Sequence, residues 1–376
     1  IAERTLTMLH GALHELRVGR PDRLSTDVGP VIDVEAQRML EAHIDDARRA
    51  GRRIVQAEMD ACARHGSFVA PTVIEIDRMA DLQREVFGPV LHVLRYRRDE
   101  LPQLIADINA SGYGLTLGIH SRIDETVRFI SERARVGNVY VNRNMIGATV
   151  GVQPFGGEGL SGTGPKAGGP LYLKRLQRAA HASPLLETMH ADAAMTQTIP
   201  SALATLLQWS EAQIPTLAAR CRDYQRANLY GRQQTLRGPA GESNVLRFGA
   251  RGDVLCIAGS DIALLNQIAA VLATGNRPVL LHASRTLLPA DLPMQVSTAL
   301  HWIARHQDCA DLRCMLYEAE YADLLSEIAA RNGAIVSSQQ TDGDAAISLW
   351  MLTREQTICI NTAAAGGNPA LMTLQA

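Results

Sequence analysis

Three groups of residues in this 376-residue sequence could do chemistry. The first is Glu85-Val86-Phe87-Gly88-Pro89-Val90. A glycine-proline turn holds a neighbouring carboxylate at a fixed angle, and a carboxylate can accept both hydroxyls of a ribose, while an aromatic ring two residues on can stack against a flat ring. Spacing alone equally allows a surface glutamate in a turn with Phe87 in the core. The second group is the glycine-rich stretch 147–169. Backbone N–H groups in a tight loop of small residues concentrate positive dipole on an anion and let it approach. Taken alone, such a stretch also reads as a structural loop that closes an oligomer contact. The third group is the six cysteines, Cys62, Cys221, Cys256, Cys309, Cys314 and Cys359. No pair has the spacing of a zinc or redox site, so buried free thiols in a reducing compartment are expected. Cys309 and Cys314 lie near His301 and His306, but short spacing alone rarely makes a site, and no metal is expected.

These residues need elements to hold them. Leu6, Leu9, Leu13 and Leu16 recur at helical spacing, which predicts an amphipathic helix before the turn Gly19-Arg20-Pro21-Asp22. A second helix is expected over 36–51, β-rich runs over 67–76 and 90–96, helices over 99–109 and 123–135, and a strand over 137–142 that feeds the glycine-rich segment. A structureless segment of that length inside a compact domain is usually functional. Between 179 and 201 the composition shifts to His, Ala, Thr and Met without a period, which reads as a linker. Beyond it, 202–230 reads as helical. Strands over 253–258 and 278–281 flank a helix over 262–273, the βαβ unit of a doubly wound sheet with a right-handed crossover. The fold class is α/β.

Composition narrows the partners. Apolar residues make up 46%, as in a folded protein, and the net charge of −2 gives no field that would favour nucleic acid or an anionic membrane. No apolar run is long enough to span a bilayer and the first twenty residues do not resemble a signal peptide, so a cytoplasmic protein is expected. The chain starts at Ile1 rather than at Met, as a piece of a longer polypeptide would.

The segment Glu85–Val90 resembles the E-[IV]-F-G-P-V signature of the aldehyde dehydrogenase superfamily. Other matching segments follow the family's order: Val28-Gly29-Pro30-Val31-Ile32, Gly66-Ser67-Phe68-Val69-Ala70-Pro71-Thr72, Tyr113-Gly114-Leu115-Thr116-Leu117-Gly118, Gly137-Asn138-Val139-Tyr140-Val141-Asn142 and Pro154-Phe155-Gly156-Gly157. The resemblance covers 1–178 and implies the C-terminal, catalytic and oligomerisation part of that fold. It implies NAD as cofactor, with Glu85 on the nicotinamide ribose and Phe87 and Leu115 bordering the cofactor. The stretch 142–170 is similar to the glutamate-semialdehyde (pyrroline-5-carboxylate) dehydrogenases, especially those fused into bifunctional bacterial proteins of proline catabolism. That likeness implies an anchor loop at Gly147 and Ala148 for the substrate's amino-acid end, and Phe155 against its aliphatic chain. Lys166 is expected to be a solvated charge.

The pattern also departs from the family. Aldehyde oxidation there needs a cysteine thiolate in a Gly-Gln-x-Cys setting and an upstream glutamate as base, and neither is recognisable. The fragment alone is therefore expected to be inactive, with no catalytic residue of its own. Residues 202–350 are expected to form a degenerate Rossmann-like domain that binds no dinucleotide, because Gly259-Ser260-Asp261 is not a glycine-rich phosphate turn. Residues 351–376 resemble the strand-and-loop flap of the fused proteins and would act as a cover or add to another sheet edge. The reading is NAD-dependent oxidation of L-glutamate γ-semialdehyde to L-glutamate, with FAD confined to an upstream proline dehydrogenase part. A small-molecule substrate is expected, together with a homo-oligomer or packing on upstream domains. The alternatives are a non-enzymatic assembly or channel-covering module, or a stand-alone semialdehyde dehydrogenase.

Overall fold

The computed structural model describes residues 1–59, 63, 65–177 and 199–363. Cys62, nearly all of the expected linker and the part of the expected flap beyond 363 lie outside the described residues. The chain forms two compact units, 1–111 and 112–376.

The first unit opens with helix α1 (Ala2–His14), which buries Leu6 and Leu13 of the expected apolar stripe. Helix α2 (Val34–Arg49) begins where the Asp33 side chain accepts from the Ala36 N–H at 2.7 Å, meeting one of the first-turn donors that a helix leaves open. Strands β1 (Ile54–Gln56), β2 (Thr72–Ile76) and β3 (Val90–Leu94) form one small sheet, with β2 antiparallel to β1 and parallel to β3. Leu40 and Ile44 of α2 pack on Val69, Ile74 and Ile76, so the helix's apolar face is spent on that sheet. Helix α3 (Leu101–Ala110) closes the unit, its second residue a proline where no backbone donor is needed.

The second unit begins with a short ribbon strand β4 (Tyr113–Gly114), then β5 (Thr116–Ile119), helix α4 (Asp124–Arg133) and strand β6 (Asn138–Val141). After the glycine-rich segment, whose regular structure among these residues is the two-residue strand β7 (Glu158–Gly159) paired with β4, come helices α5 (Ser201–Gln213) and α6 (Pro215–Ala227). The expected single helix over 202–230 is thus two. Pro215 supplies no N–H and pushes Ile214 out of helical geometry, to φ −141° and ψ 80°, so the helix must restart.

A hairpin of β8 (Gln233–Leu236) and β9 (Glu242–Ala250) precedes β10 (Asp253–Ile257), helix α7 (Asp261–Ala273) and β11 (Arg277–Leu281). Strands β12 (His301–Ile303), β13 (Leu312–Glu318), β14 (Ser337–Thr341) and β15 (Thr353–Asn361) follow. The βαβ unit is present. β10 pairs in parallel with β11 and with β13 in a five-stranded sheet ordered β12-β11-β10-β13-β14. Helix α7 is buried at every residue from Ala263 to Ala273, as a helix without a polar face must be.

A second five-stranded sheet, ordered β5-β6-β15-β9-β8, takes in the described part of the expected flap, which adds as a strand beside β6. The stretch 353–361 is neither a frayed terminus nor an edge. β15 lies in the middle, parallel to β6 through Thr357–Ile360 and antiparallel to β9 over nine residues. Its residues Thr353, Glu355, Gln356, Thr357, Ile358 and Cys359 are all buried, and a strand with both neighbours in place satisfies its backbone on both sides.

Candidate functional site

Glu85 and Phe87 sit in the first unit on the turn that enters β3. Val86 packs against the apolar cluster of α2 and the small sheet. A methyl group built on Gly88 would overlap the Leu40 side chain unless that leucine shifted, so glycine lets the turn lie flat on α2. The Pro89 carbonyl accepts from Thr72 N–H at 2.9 Å, tying the turn to β2. With Val86 inward and Gly88 pressed down, Phe87 is driven outward and is 85% exposed. The reading that puts Phe87 in the core is therefore overturned. Leaving a phenylalanine in water forgoes about 2 kcal/mol of burial, and Glu85 beside it is also exposed.

The other expected site residues belong to the second unit. Leu115, between β4 and β5, is 39% exposed. Gly147 and Ala148 lie in the loop that leaves β6, with open space around Gly147 and with Ile146 and Val150 on either side more than nine-tenths exposed. The loop's start is pinned by Asn142, whose φ of 55° is one that asparagine tolerates. Its side chain accepts from Ser121 N–H at 3.0 Å and donates to the Ser121 carbonyl at 2.9 Å. The loop's far side is held by Gln153, which is 4% exposed. Its Oε1 accepts from Thr149 N–H at 3.0 Å, and its Nε2 donates to Asn244 Oδ1 at 2.8 Å on β9 and lies 3.2 Å from the Cys359 Sγ on β15. Arg143 reaches Glu242 of β9 at 2.6 Å.

Phe155 is half-buried and exchanges backbone hydrogen bonds with Ala167 in both directions, at 3.0 and 2.9 Å. Between them the structure contradicts the expectation for Lys166. That side chain is 2% exposed, not solvated. Its Nζ donates to the Gly156 carbonyl at 2.7 Å and to Asn138 Oδ1 at 3.0 Å. Asn138 Nδ2 in turn donates to the carbonyls of Leu115 at 3.0 Å and Gly156 at 3.2 Å. Burial pulls the Lys166 ammonium down from its ordinary 10.5 to about 8, against the opposing pull of Glu355 and Glu158. Burial likewise pushes the Glu355 carboxyl up. Asn138 and Lys166 thus tie the Phe155 segment to Leu115, a part that the sequence reading gave to neither residue.

None of the five described cysteines has the character of a nucleophile. All are buried, and burial raises the thiol pKa of each, to about 12 for Cys221 and Cys309. Cys309 Sγ lies 3.4 Å from Asp253 Oδ2, and His306 shares a 2.9 Å hydrogen bond with Glu327, so both have partners other than a metal. At the C-terminal edge of the parallel sheet, where a Rossmann fold binds phosphate, Gly259 N–H donates to Glu318 Oε2 at 2.8 Å and Gly343 N–H to Glu318 Oε1 at 3.1 Å. The protein's own carboxylate fills that anion position.

With this geometry in hand, comparison with known proteins is decisive for the first half. Residues 1–182 match the model of the aldehyde dehydrogenase family. That match takes in just under half of the chain, and the family is one of oxidoreductases. Over its whole length the chain is 48% identical to the bifunctional protein PutA of Escherichia coli (strain K12), and it spans 30% of that protein's length. Over 161 residues, 42% of the chain and 30% of the relative, it is 39% identical to the 1-pyrroline-5-carboxylate dehydrogenase of Geobacillus sp. (strain WCH70). The structure of Proline Utilization A (PutA) from Corynebacterium freiburgense aligns with 95% of this chain and 34% of that one, at a TM-score of 0.67 and 24% identity. This last likeness shows the fold alone, α/β across both units. Among the described residues no helix is long and apolar enough to cross a membrane.

Proposed function

We propose that this chain is the part of an NAD-dependent aldehyde dehydrogenase that holds the nicotinamide ribose and the amino-acid end of L-glutamate γ-semialdehyde, which is oxidised to L-glutamate. The chain would work inside a longer bifunctional polypeptide of proline catabolism, with the nucleophilic cysteine, the base and any FAD carried elsewhere in it. The observation that carries the reading is the loop 143–153. It is fixed at both ends by Asn142 and Gln153, yet open around Gly147, as a backbone cradle for a carboxylate must be. The names of the relatives support the same substrate class.

The residues present fit the cofactor: Phe87 offers an exposed ring face and Glu85 a carboxylate one residue away from a rigid turn. NAD, when bound, supplies a hydride acceptor. This chain's residues bind and orient. Glu85 accepts the ribose hydroxyls, Phe87 and Leu115 border the cofactor, the N–H groups about Gly147 and Ala148 take the substrate carboxylate, and Phe155 packs on its methylene chain.

The test uses the full-length protein. Phe155→Ala should raise the KM for glutamate semialdehyde about tenfold or more, the equivalent of one lost apolar contact surface, while leaving propanal turnover within about threefold. Glu85→Ala should raise the KM for NAD. Unchanged constants for both substitutions would sink the assignment.

A further inference from the structure

We propose that Lys166 is a positioning residue for this reaction: its buried ammonium group clamps the Gly156 carbonyl and the Asn138 side chain, and so sets the Phe155 wall and Leu115 as one rigid piece. The proposal rests on the function assigned above and deepens it. Three observations carry it. Lys166 holds Phe155 twice, since Ala167 next to it makes the reciprocal backbone pair with Phe155 while its own Nζ grips the following residue, Gly156. Asn138 has its amide oxygen occupied by Lys166 and its nitrogen shared between Leu115 and Gly156, so the asparagine cannot turn without breaking bonds to both walls. The clamp has no slack, because Gly137 comes so close to the Gly156 carbonyl that a methyl group there would overlap it.

The Lys166 main chain is anchored separately, its N–H donating to Glu355 Oε2 at 2.8 Å on β15. The charged groups that face the ammonium are Glu355 and Arg354 of β15 and Glu158 of β7, with Arg251 beyond Glu355. A small cavity of about 50 Å³ lined in part by Gly164, Lys166, Arg251, Arg354 and Glu355 lies alongside. Losing the proton removes one donor and the charge, and both clamped oxygens are then held by weaker, neutral hydrogen bonds. With its pKa pulled to about 8, Lys166 makes that change between pH 7 and 9.5.

The experiment compares full-length wild type, Lys166→Met and Lys166→Arg at saturating NAD from pH 7 to 9.5, with glutamate semialdehyde and with propanal, which has no amino-acid end to place. Lys166→Met should raise the KM for the semialdehyde about tenfold at pH 7.5, with kcat and the propanal constants changed less than about threefold. In the wild type the ratio of the two KM values should climb above pH 8. In Lys166→Arg, which keeps its proton, the ratio should stay flat. A folded Lys166→Met with the wild-type ratio, or a Lys166→Arg curve that overlays the wild type, overturns the proposal. If neither variant folds, the wild type decides alone, and a ratio constant across the range overturns it. Failure of the wild type to oxidise the semialdehyde at all would overturn the assigned reaction and this role with it.

Discussion

A protonated lysine at 2% exposure works against the fold that contains it. Because the Lys166 pKa in the folded chain lies near 8 and its ordinary value is 10.5, the unfolded chain holds the proton more tightly between those two values. Stability must then rise with pH in that window, and the handicap is fully present below pH 8, amounting to about 3 kcal/mol. Urea denaturation of wild type and Lys166→Met should therefore show the difference moving in favour of the wild type by about 2 kcal/mol between pH 7.5 and 9.5. A difference that is flat or moves the other way would show that the amine is not buried as a cation. Nothing in the sequence around Lys166 announces this. Lysines in glycine-rich loops are ordinarily exposed, and an irregular segment has no period from which an inward position can be read. Phe87 was undecided for a related reason: its outward direction follows from tertiary contacts, Gly88 pressed on Leu40 of α2 and Pro89 tied to Thr72 of β2, that spacing does not show.

At the scale of elements, strand β6 is the part on which most depends. It carries Asn138, neighbours β5 and β15, and delivers the chain to the loop at Gly147. Gly137, just before it, is the point of nearest approach to the glycine-rich segment. Gly137→Ala should destabilise the protein by about 3 kcal/mol or more, since the overlap is with backbone and cannot be relieved by a rotamer change. A midpoint in urea within experimental error of the wild type would count against the close approach. The elements with a clear period were legible beforehand: α1, α2, the βαβ unit and the strand that became β6. The hairpin β8–β9 was not. Its inward positions are Asn244, Leu246 and Phe248, and the buried asparagine, recruited to hold Gln153, breaks the apolar alternation that marks a strand. The interior place of β15 is hidden for a related reason. Its inward Thr357 serves Pro154, donating to that carbonyl at 2.7 Å, and such polar duties disguise an interior strand as a surface one.

At the scale of the molecule, the second five-stranded sheet is assembled from two distant stretches of chain, β5 and β6 on one side of β15 and β8 and β9 on the other. Removing 353–376 should thus do more than uncover a surface. It should leave β6 and β9 as two open edges and expose Val139, Leu246 and Phe248. Hydrogen exchange should show loss of protection in 138–141 and 242–250 together, with self-association on a sizing column. If 138–141 stay protected in the shortened protein, β15 is not what holds that sheet. The same strand imposes an order of events on the protein's making. Asn361 closes onto Asn142 across 219 residues of sequence. A ribosome adding about 5 to 20 residues per second leaves β6 without its partner for about 10 to 40 s, far longer than hairpins or helices take to form. During that interval the nascent chain carries an unfinished sheet edge next to the loop 143–153, so the step most exposed to chaperones and to misassembly is the arrival of a strand rather than the collapse of a core.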